Sequence, residues 1–321
     1  MLQTLHFSDQ PARFLVTGAT GFIGQKLVRA LLADGHHVTI LTRQADQASA
    51  LFDGKVHCVS SMQQLPASYR IDIVINLAGT RILGWRWSAK RKAVLRHSRI
   101  ALTNRVVEWI STAEHKPRLL LSASAIGYYG IQAIGDQCEL NEESPPQDIF
   151  MSQLCQEWES AARAAVKHGV RVMCMRFGVV LGKQGALPMM LLPIRLGMGG
   201  TLGSGKQWQS WIHVQDLLRG IAHLCALPSA ADQQATNAPQ GETFNFTAPD
   251  CVTQKQFSQI AATLLHRPCF IPTPAFALRL TLGEQADLLL EGQRVIPQRL
   301  LEQGFVFDFP HLKSALSDLL T

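Results

Sequence analysis

A glycine-rich segment directly after a short apolar run is the feature that most constrains the fold of this chain. The segment is Thr17-Gly18-Ala19-Thr20-Gly21-Phe22-Ile23-Gly24, and it lies between the apolar run Phe14-Leu15-Val16 and an apolar-periodic stretch from Gln25 to Ala33. A diphosphate binds at a helix N-terminus where free N–H groups point at it and no Cβ stands in the way. This segment therefore predicts a strand, a phosphate-binding turn and a helix in immediate succession.

The next stretch favours NADP as the dinucleotide. Gly35 stands where the helix should end, and the apolar run from His37 to Thr42 predicts a second strand, so the first part of the chain reads as a βαβ unit. Where an acid would bind a ribose 2′-hydroxyl, the chain instead has Arg43, whose guanidinium suits a 2′-phosphate. The expected cofactor contacts here are Gly18, Thr20, Gly21, Phe22, Ile23, Gly24, Thr42 and Arg43.

Further apolar runs continue the alternation of strands and helices. Strands are expected at 71–79, 119–124 and 171–177, with helices from Ser88 to about Thr112 and from about Phe150 to His168. This pattern predicts an α/β fold with a Rossmann-type doubly wound parallel sheet. Because ligands of such sheets lie at the carboxyl ends of strands, the expected cofactor contacts also include Leu77, Ala78 and Gly79.

The pattern changes from Gly182 onward. Glycines and prolines are frequent up to Gln207, and an apolar helix from Val214 to Leu227, a short strand at 243–246 and several short helices follow. Gly- and Pro-rich stretches of this length inside a compact protein are usually functional loops. We therefore expect residues 1–181 to form mainly the NADP-binding domain and residues 182–321 mainly a smaller C-terminal substrate lobe, although later segments could return to the first domain.

The composition predicts an ordered protein of a reducing compartment. Hydrophobic residues make up 47% of the 321 residues and charged residues only 17%, which suits a large core. The seven cysteines are scattered, without a Cys-x-x-Cys pair or a histidine at ligand spacing, which predicts buried thiols and no metal site. No signal peptide is recognisable, and no apolar run approaches the ~20 residues that span a bilayer. These features favour a cytoplasmic protein without membrane partners.

One block of the chain is basic and lacks acids. Between Asp72 and Glu108 its cations are Arg81, Arg86, Lys90, Arg91, Lys92, Arg96, Arg99 and Arg105. Such a block could meet an anionic cofactor or substrate, could form a solvated helix face, or could bind nucleic acid. The nucleic-acid alternative lacks any recognised binding module beside it.

Several motifs in a fixed order resemble a known superfamily. After the glycine loop come the turn Asn76-Leu77-Ala78-Gly79, the strand ending in Ser122 and Ser124, Arg176-Phe177-Gly178, and Trp211-Ile212-His213-Val214-x-Asp216. This order resembles the extended short-chain dehydrogenase/reductase superfamily. More narrowly, the chain resembles the YfcH-type NAD(P)-dependent epimerase family in Arg86-Trp87-Ser88, Ser98-Arg99-Ile100, residues 122–130, Leu202-Gly203-Ser204-Gly205-Lys206-Gln207 and Gly292-Gln293-Arg294-Val295-x-Pro297.

The resemblance covers nearly the whole chain. It implies a Rossmann-type NADP-binding domain with a C-terminal substrate lobe. It also implies an oxidoreductase or epimerase that acts on a small molecule bearing a hydroxyl or carbonyl group. The substrate, the direction of reaction and the oligomeric state stay open, an oligomer being one of the alternatives.

The usual acid/base pair of this superfamily is absent from the chain. Extended enzymes use a Tyr-x-x-x-Lys pair, in which the phenolate moves the hydroxyl proton while the lysine lowers the pKa of the phenol and holds the ribose. The tyrosines here are Tyr69, Tyr128 and Tyr129, and none is followed four residues later by lysine. Phe150 and Leu154 stand near the place of the pair, and neither side chain can move a proton.

Two interpretations follow from this departure. The strand-end serine of the family matches Ser124, and its helix asparagine matches Arg99, which we also expect to contact the cofactor. In the first interpretation Ser124 positions the substrate oxygen and either Tyr128 or Tyr129 supplies the acid. Arg99 or Arg81 then stabilises the phenolate. In the second, the protein binds NADP without turnover and serves as a sensor or partner-binding protein, and the tyrosines pack at a turn.

Four further residues are candidate substrate contacts, namely Arg81, Arg176, Trp211 and His213. For three of them, a role in holding the fold together is the alternative to contact with a substrate. Arg176 could form an ion pair, Trp211 could belong to the core, and His213 could form a hydrogen-bonded pair with Asp216.

Overall fold

The structure is a computed structural model that describes residues 5–82, 84, 86–228 and 241–321. Its strands are β1 (Arg13–Thr17), β2 (His37–Leu41), β3 (His57–Val59), β4 (Ile73–Asn76), β5 (Leu119–Ala125), β6 (Arg171–Phe177), β7 (Val179–Leu181), β8 (Trp208–Gln209), β9 (Trp211–His213), β10 (Glu242–Phe246) and β11 (Val252–Thr253). Its helices are α1 (Phe22–Ala33), α2 (Ala45–Leu51), α3 (Ala89–Arg96), α4 (Leu102–Thr112), α5 (Phe150–Arg163), α6 (Leu187–Arg195), α7 (Val214–Ala226), α8 (Gln254–Leu265), α9 (Ala275–Leu282), α10 (Asp287–Leu290), α11 (Gln298–Glu302) and α12 (Leu312–Leu320).

The main sheet is parallel and doubly wound. Within the described ranges its strand order is β10-β6-β5-β4-β1-β2-β3, and every neighbouring pair is parallel. The order reverses at β1, with β2 and β3 on one side and β4, β5, β6 and β10 on the other. The carboxyl ends of β1 and β4 therefore border the crevice in which such sheets bind ligands. The predicted Rossmann-type fold is confirmed.

Apolar residues at successive strand positions explain why helices cover both faces of the sheet. In β1, Phe14 and Val16 belong to one core layer and Leu15 to the other. Because successive side chains of a strand point to opposite faces, a strand that is apolar at every position must be buried on both. Side chains of α1 and α7 belong to the first layer and those of α4 to the second.

The second half of the chain returns to this sheet. β10 pairs with β6 from Glu242 to Phe246, and Leu300, Phe305 and Phe307 join the core layer of α1. A separate core around Trp211 joins α6, α8 and α12. The C-terminal lobe thus shares strands and core with the Rossmann sheet.

No helix in the described parts of the chain is long and apolar enough to cross a membrane.

Candidate functional site

The glycine loop after β1 has a geometry that only glycine allows. Gly18 has φ +69, and a Cβ at this position would lie 2.7 Å from the carbonyl oxygen of Leu77. A Cβ on Gly24 would lie 2.2 Å from the carbonyl oxygen of Gly18. Gly21 occupies the N-cap of α1 and brings no side-chain acceptor to the first N–H groups of the helix. These N–H groups are therefore available to an anion.

A cavity of about 1250 Å³ opens at this loop. Small-molecule sites usually measure about 300–1,000 Å³, so the cavity has room for a dinucleotide. Eight of the twelve expected cofactor residues line it. Those on its wall are Gly18, Thr20, Gly21, Thr42, Arg43, Leu77, Ala78 and Gly79, and other lining residues include Ser60, Ser61, Thr80, Lys90, His97, Ser98, Leu102 and Arg105.

Four of the expected cofactor contacts do not line the cavity, namely Arg99, which is described below, and the three residues Phe22, Ile23 and Gly24. The Phe22 ring packs close to Gly182, where an added Cβ would lie 2.2 Å from it. Ile23 packs against the main core, and Gly24 lies under the loop. In the structure these residues support the loop, and a direct contact between them and a cofactor stays a prediction.

Three cations at the cavity wall lack a carboxylate partner among the described residues. Arg43, Lys90 and Arg105 line the cavity, and none of them forms an ion pair with any residue that the structure describes. Elsewhere in the basic block, Lys92 pairs with Glu284 and Arg96 with Glu157. Because unpaired cations in a cleft attract anions, the cavity suits a phosphorylated ligand.

Arg99 lies buried beside the cavity, on the π-helical turn His97–Ala101 between α3 and α4. It is 6% exposed, and its guanidinium donates to the carbonyl oxygens of Thr80 at 3.0 Å and Leu95 at 3.3 Å. A Cβ on Gly79 would lie 3.0 Å from the Arg99 Cζ, so the guanidinium lies close to Gly79, which lines the cavity, although Arg99 itself does not line it. Burial lowers the pKa of Arg99, yet a guanidinium remains charged at neutral pH.

A second cluster lies at the carboxyl end of β5. Ser124 Oγ donates to Glu159 Oε1 at 2.8 Å, and Arg176 donates to both Glu159 oxygens at 2.7 and 2.9 Å. All three side chains are buried. The sequence left open whether Arg176 binds substrate or forms an ion pair, and the structure places it in a bidentate ion pair.

The two adjacent tyrosines meet Arg176 in different ways. The Arg176 Cζ lies 3.3 Å from the centre of the Tyr128 ring, and Tyr128 is half-buried. Tyr129 is buried, accepts a hydrogen bond from Arg176 at 3.0 Å and donates one to Asn245 at 2.7 Å. Burial raises the pKa of Tyr129 to about 12. The Tyr129 hydroxyl group is therefore engaged in internal hydrogen bonds, whereas Tyr128 is partly exposed.

The other candidate substrate contacts divide between surface and core. Arg81 is exposed in the loop after β4. Trp211 is buried and donates to the carbonyl oxygen of Asp250 at 2.9 Å. His213 is buried at the N-cap of α7, where its ring accepts from the Gln215 N–H at 3.1 Å. Neither Trp211 nor His213 lines the cavity. A substrate contact for these two residues stays a prediction, and the burial of both side chains argues against it.

The region in which the sequence predicts the acid/base pair of the superfamily is apolar. Phe150 begins α5, and its ring centre lies 4.9 Å from the Lys92 Nζ. Leu154, one turn later, is buried with Leu95 and Met151 in a small core. These contacts are packing and cation–π contacts, which supply no group for proton transfer.

Sequence reasoning missed two polar members of the β5 cluster. Glu159 lies in the middle of α5 and Asn245 in β10, and each meets its partner only through the fold. The position of Arg105 at the cavity could have been predicted, because Arg105 follows His97 and Ala101 at helical spacing within the acid-free block.

Within the described residues, no group of three or more His, Cys, Asp or Glu side chains could hold a metal ion.

Comparison with known families agrees with this geometry. The model of the NAD dependent epimerase/dehydratase family matches residues 14–245, and a domain of unknown function, DUF1731, matches residues 273–319. An epimerase family protein of Staphylococcus saprophyticus is 41% identical over 313 residues, which cover 96% of this chain and 99% of the relative. The chloroplastic epimerase family protein SDR39U1 homolog of Arabidopsis thaliana is 40% identical, over 95% of this chain and 86% of the relative.

A solved structure extends the similarity to three dimensions. The crystal structure of human epimerase family protein SDR39U1 (isoform 2) with NADPH has a TM-score of 0.81 and 34% sequence identity. The alignment covers 96% of this chain and 98% of the human chain. The resemblance inferred from the motifs is confirmed. This chain belongs to the NAD-dependent epimerase/dehydratase family of extended short-chain dehydrogenases/reductases, as an SDR39U1-like member.

Proposed function

We propose that this protein binds NADP(H) in the cavity at β1 and β4 and catalyses oxidoreduction or epimerisation of a small substrate that bears a hydroxyl or carbonyl group. The observation that carries the proposal is the cavity itself, since one wall is the glycine loop and another holds Arg43 and Arg105 without carboxylate partners among the described residues. The NADPH in the crystal structure of the human relative supports the choice of cofactor.

The residues at the cavity fit a phosphorylated dinucleotide. The first N–H groups of α1 suit a diphosphate, because no side chain caps them. Thr42 and Arg43 follow β2, where a 2′-phosphate would distinguish NADP from NAD. The bound nicotinamide supplies hydride transfer, and the protein supplies orientation and a route for the proton.

Tyr128 and Ser124 are the residues we assign to the proton route. The Arg176 guanidinium covers one face of the Tyr128 ring, which fixes the ring and places a positive charge beside it. The Ser124 proton is directed to Glu159, so the lone pairs of Ser124 Oγ can accept a hydrogen bond from a substrate hydroxyl. Tyr129 is less suited, because its hydroxyl group is buried between Arg176 and Asn245.

A second candidate function is an NADP(H) sensor without turnover. It is favoured by Leu154, a core residue near the position that the sequence comparison assigns to the superfamily lysine. Nucleic-acid binding is the least supported alternative, because several cations of the basic block are engaged within the protein. Lys92 and Arg96 form ion pairs, and Arg86 donates to the carbonyl oxygen of Leu280.

Titration of the protein with NADPH and NADH, followed by fluorescence, tests the cofactor assignment. We expect NADPH to bind more tightly than NADH, and Arg43→Ala to weaken NADPH binding by about tenfold or more with little effect on NADH. Arg70→Ala is the matched control, because Arg70 is an exposed arginine that pairs with Asp72. Failure of the wild-type protein to bind either nucleotide would refute the proposed function.

A screen of carbonyl substrates with NADPH then separates the enzyme from the sensor. We expect Tyr128→Phe to lower turnover by about 10²–10⁴-fold, as for loss of a general acid, and Tyr129→Phe to retain most of the activity. Tight NADPH binding together with no turnover on any substrate would favour the sensor. Equal losses in the two variants would contradict the assignment to Tyr128.

A further inference from the structure

Arg99 is a buried cation whose charge nothing in the described structure neutralises. The acceptors of its guanidinium are neutral, namely the carbonyl oxygens of Thr80 and Leu95 and the hydroxyl oxygen of Ser98. Arg176 is similarly buried, but the carboxylate of Glu159 neutralises it. Because burying an unpaired charge is costly, the position of Arg99 indicates that its charge serves a ligand.

The order of the strands places Arg99 toward one end of the cavity. Along the edge of the sheet, Arg43 follows β2, the glycine loop follows β1, Gly79 follows β4 and Ser124 lies at the end of β5. Arg99 lies against Gly79. On the proposed function, on which this inference rests, a dinucleotide with its 2′-phosphate at Arg43 and its diphosphate at the loop extends its nicotinamide half toward β4 and β5.

The Arg99 side chain is also held in place. The guanidinium lies 5.2 Å from the centre of the Trp158 ring, and its two terminal nitrogens donate to different segments of the chain. The π-helical turn at His97–Ala101 directs Arg99 inward, and such turns are frequent at functional sites. A fixed charge acts on a ligand more strongly than a mobile exposed one, which water screens.

We propose that Arg99 makes this site select the reduced cofactor, NADPH, over the oxidised cofactor, NADP⁺. The two forms carry the same phosphates and differ by one positive charge on the nicotinamide ring. A fixed cation near that ring repels the oxidised form and leaves the neutral reduced ring unaffected. For charges several ångströms apart in a partly buried site, this repulsion corresponds to roughly a tenfold difference in affinity.

Dissociation constants for NADPH and NADP⁺ test this inference without any turnover. NADPH binding is followed by its fluorescence, and NADP⁺ binding by competition with NADPH. In the wild-type protein we expect NADP⁺ to bind roughly tenfold more weakly. The ratio should fall toward one in Arg99→Gln and should be largely kept in Arg99→Lys, which retains the charge.

Arg105→Gln is the matched control, because it removes a charge from the same helical segment. Arg105 lines the cavity from α4, and Trp109, one turn further along α4, donates to the carbonyl oxygen of Leu65 in the segment after β3. Its loss should weaken both forms of the cofactor alike and leave their ratio unchanged. Near-UV circular dichroism confirms that each variant keeps its tertiary packing.

The possible outcomes separate this inference from the proposed function. Binding of neither nucleotide by the wild-type protein overturns the proposed function, and the inference with it. Equal affinity of the wild-type protein for NADPH and NADP⁺ overturns the inference alone, even if Arg99→Gln does not fold. An unchanged ratio in folded Arg99→Gln also overturns it.

Discussion

Buried polar side chains link the carboxyl ends of β1, β4 and β5 to one another and to α4. Thr17 Oγ1 donates to Asn76 Oδ1 at 2.6 Å, and Asn76 Nδ2 donates to Thr103 at 2.9 Å and to Ser122 at 3.2 Å. All four side chains are buried. Because buried polar groups are costly unless they are hydrogen-bonded, this network defines one arrangement of β1, β4, β5 and α4. These side chains thus set the relative positions of the strand ends that border the cavity.

The ion pair between Arg176 and Glu159 predicts a large stability difference between two arginine variants. Arg176→Met would leave the Glu159 carboxylate buried with one remaining cation, and we expect a loss of about 3–5 kcal/mol in the free energy of unfolding. The other cation that pairs with Glu159 is Arg163, and the Arg163 side chain is 38% exposed. Arg163→Gln should therefore lower the free energy of unfolding by about 1 kcal/mol or less. Urea denaturation measures both, and similar losses would contradict this account.

Burial of His213 predicts a loss of stability in acid. Burial lowers the pKa of His213 in the folded protein despite the nearby carboxylate of Asp318, while the pKa in the unfolded chain is about 6.5. The unfolded chain therefore binds a proton that the folded protein resists, so stability is present above pH 6.5 and falls as the pH drops below it. His213→Asn, which can still cap α7, should flatten the dependence between pH 7 and 5. Identical slopes in urea denaturation of the two proteins would refute the prediction.

Two elements depart from regular geometry at the cavity, the glycine loop and the long helix after β4. The sequence predicts one helix from Ser88 to Thr112, and Ser88 does cap it by accepting from the Arg91 N–H at 3.2 Å. The helix is interrupted by the π-helical turn at His97–Ala101. Arg99 is the buried residue of this turn, and its guanidinium lies close to Gly79, which lines the cavity.

The glycine loop predicts that two alanine variants differ in stability although both impair NADPH binding. In Gly24→Ala the new Cβ would meet the backbone of Gly18 and Ala19 at 2.2–2.9 Å, and we expect a loss of about 1–3 kcal/mol in stability together with loss of NADPH binding. In Gly21→Ala the shortest contact is 3.3 Å, so the fold should persist while the Cβ hinders an approaching diphosphate. Thermal unfolding and NADPH titration distinguish them. Equal stability of the two variants would contradict the packing argument.

The whole molecule is tied together by its C-terminal segment. Phe305 and Phe307 belong to the same core layer as α1 and β1. The buried carboxylate of Asp216 on α7 accepts hydrogen bonds from the N–H groups of Asp308 at 2.9 Å and Phe309 at 2.8 Å. The segment that matches the domain of unknown function is therefore part of the folding unit that carries the cavity.

Removal of this segment should abolish cooperative folding. A chain of residues 1–272 would lose the core residues Leu300, Phe305 and Phe307 and the partners of Asp216. We expect it to lose near-UV circular dichroism and to unfold without a sharp transition, whereas the full chain unfolds in a single cooperative step. The matched control is Asp216→Asn in the full chain, which should weaken the attachment while the transition stays cooperative. A stable, NADPH-binding fragment would refute this prediction.

The sequence by itself determined the sheet, the glycine loop and the position of Arg43, because these depend on local patterns. Strand periodicity, the spacing of Gly18, Gly21 and Gly24, and a cation at a strand end all lie within a few consecutive residues. The carboxyl ends of parallel strands meet at one edge, so the cavity follows from them.

Only the tertiary structure decided the partners of the buried charges. Arg176 meets Glu159, Tyr129 meets Asn245, and Arg99 is left with neutral acceptors. The two residues of the tyrosine contact lie 116 positions apart in the chain. A charge or hydroxyl group has the same local pattern whether it is paired, free or buried, because its energy depends on neighbours that folding brings together.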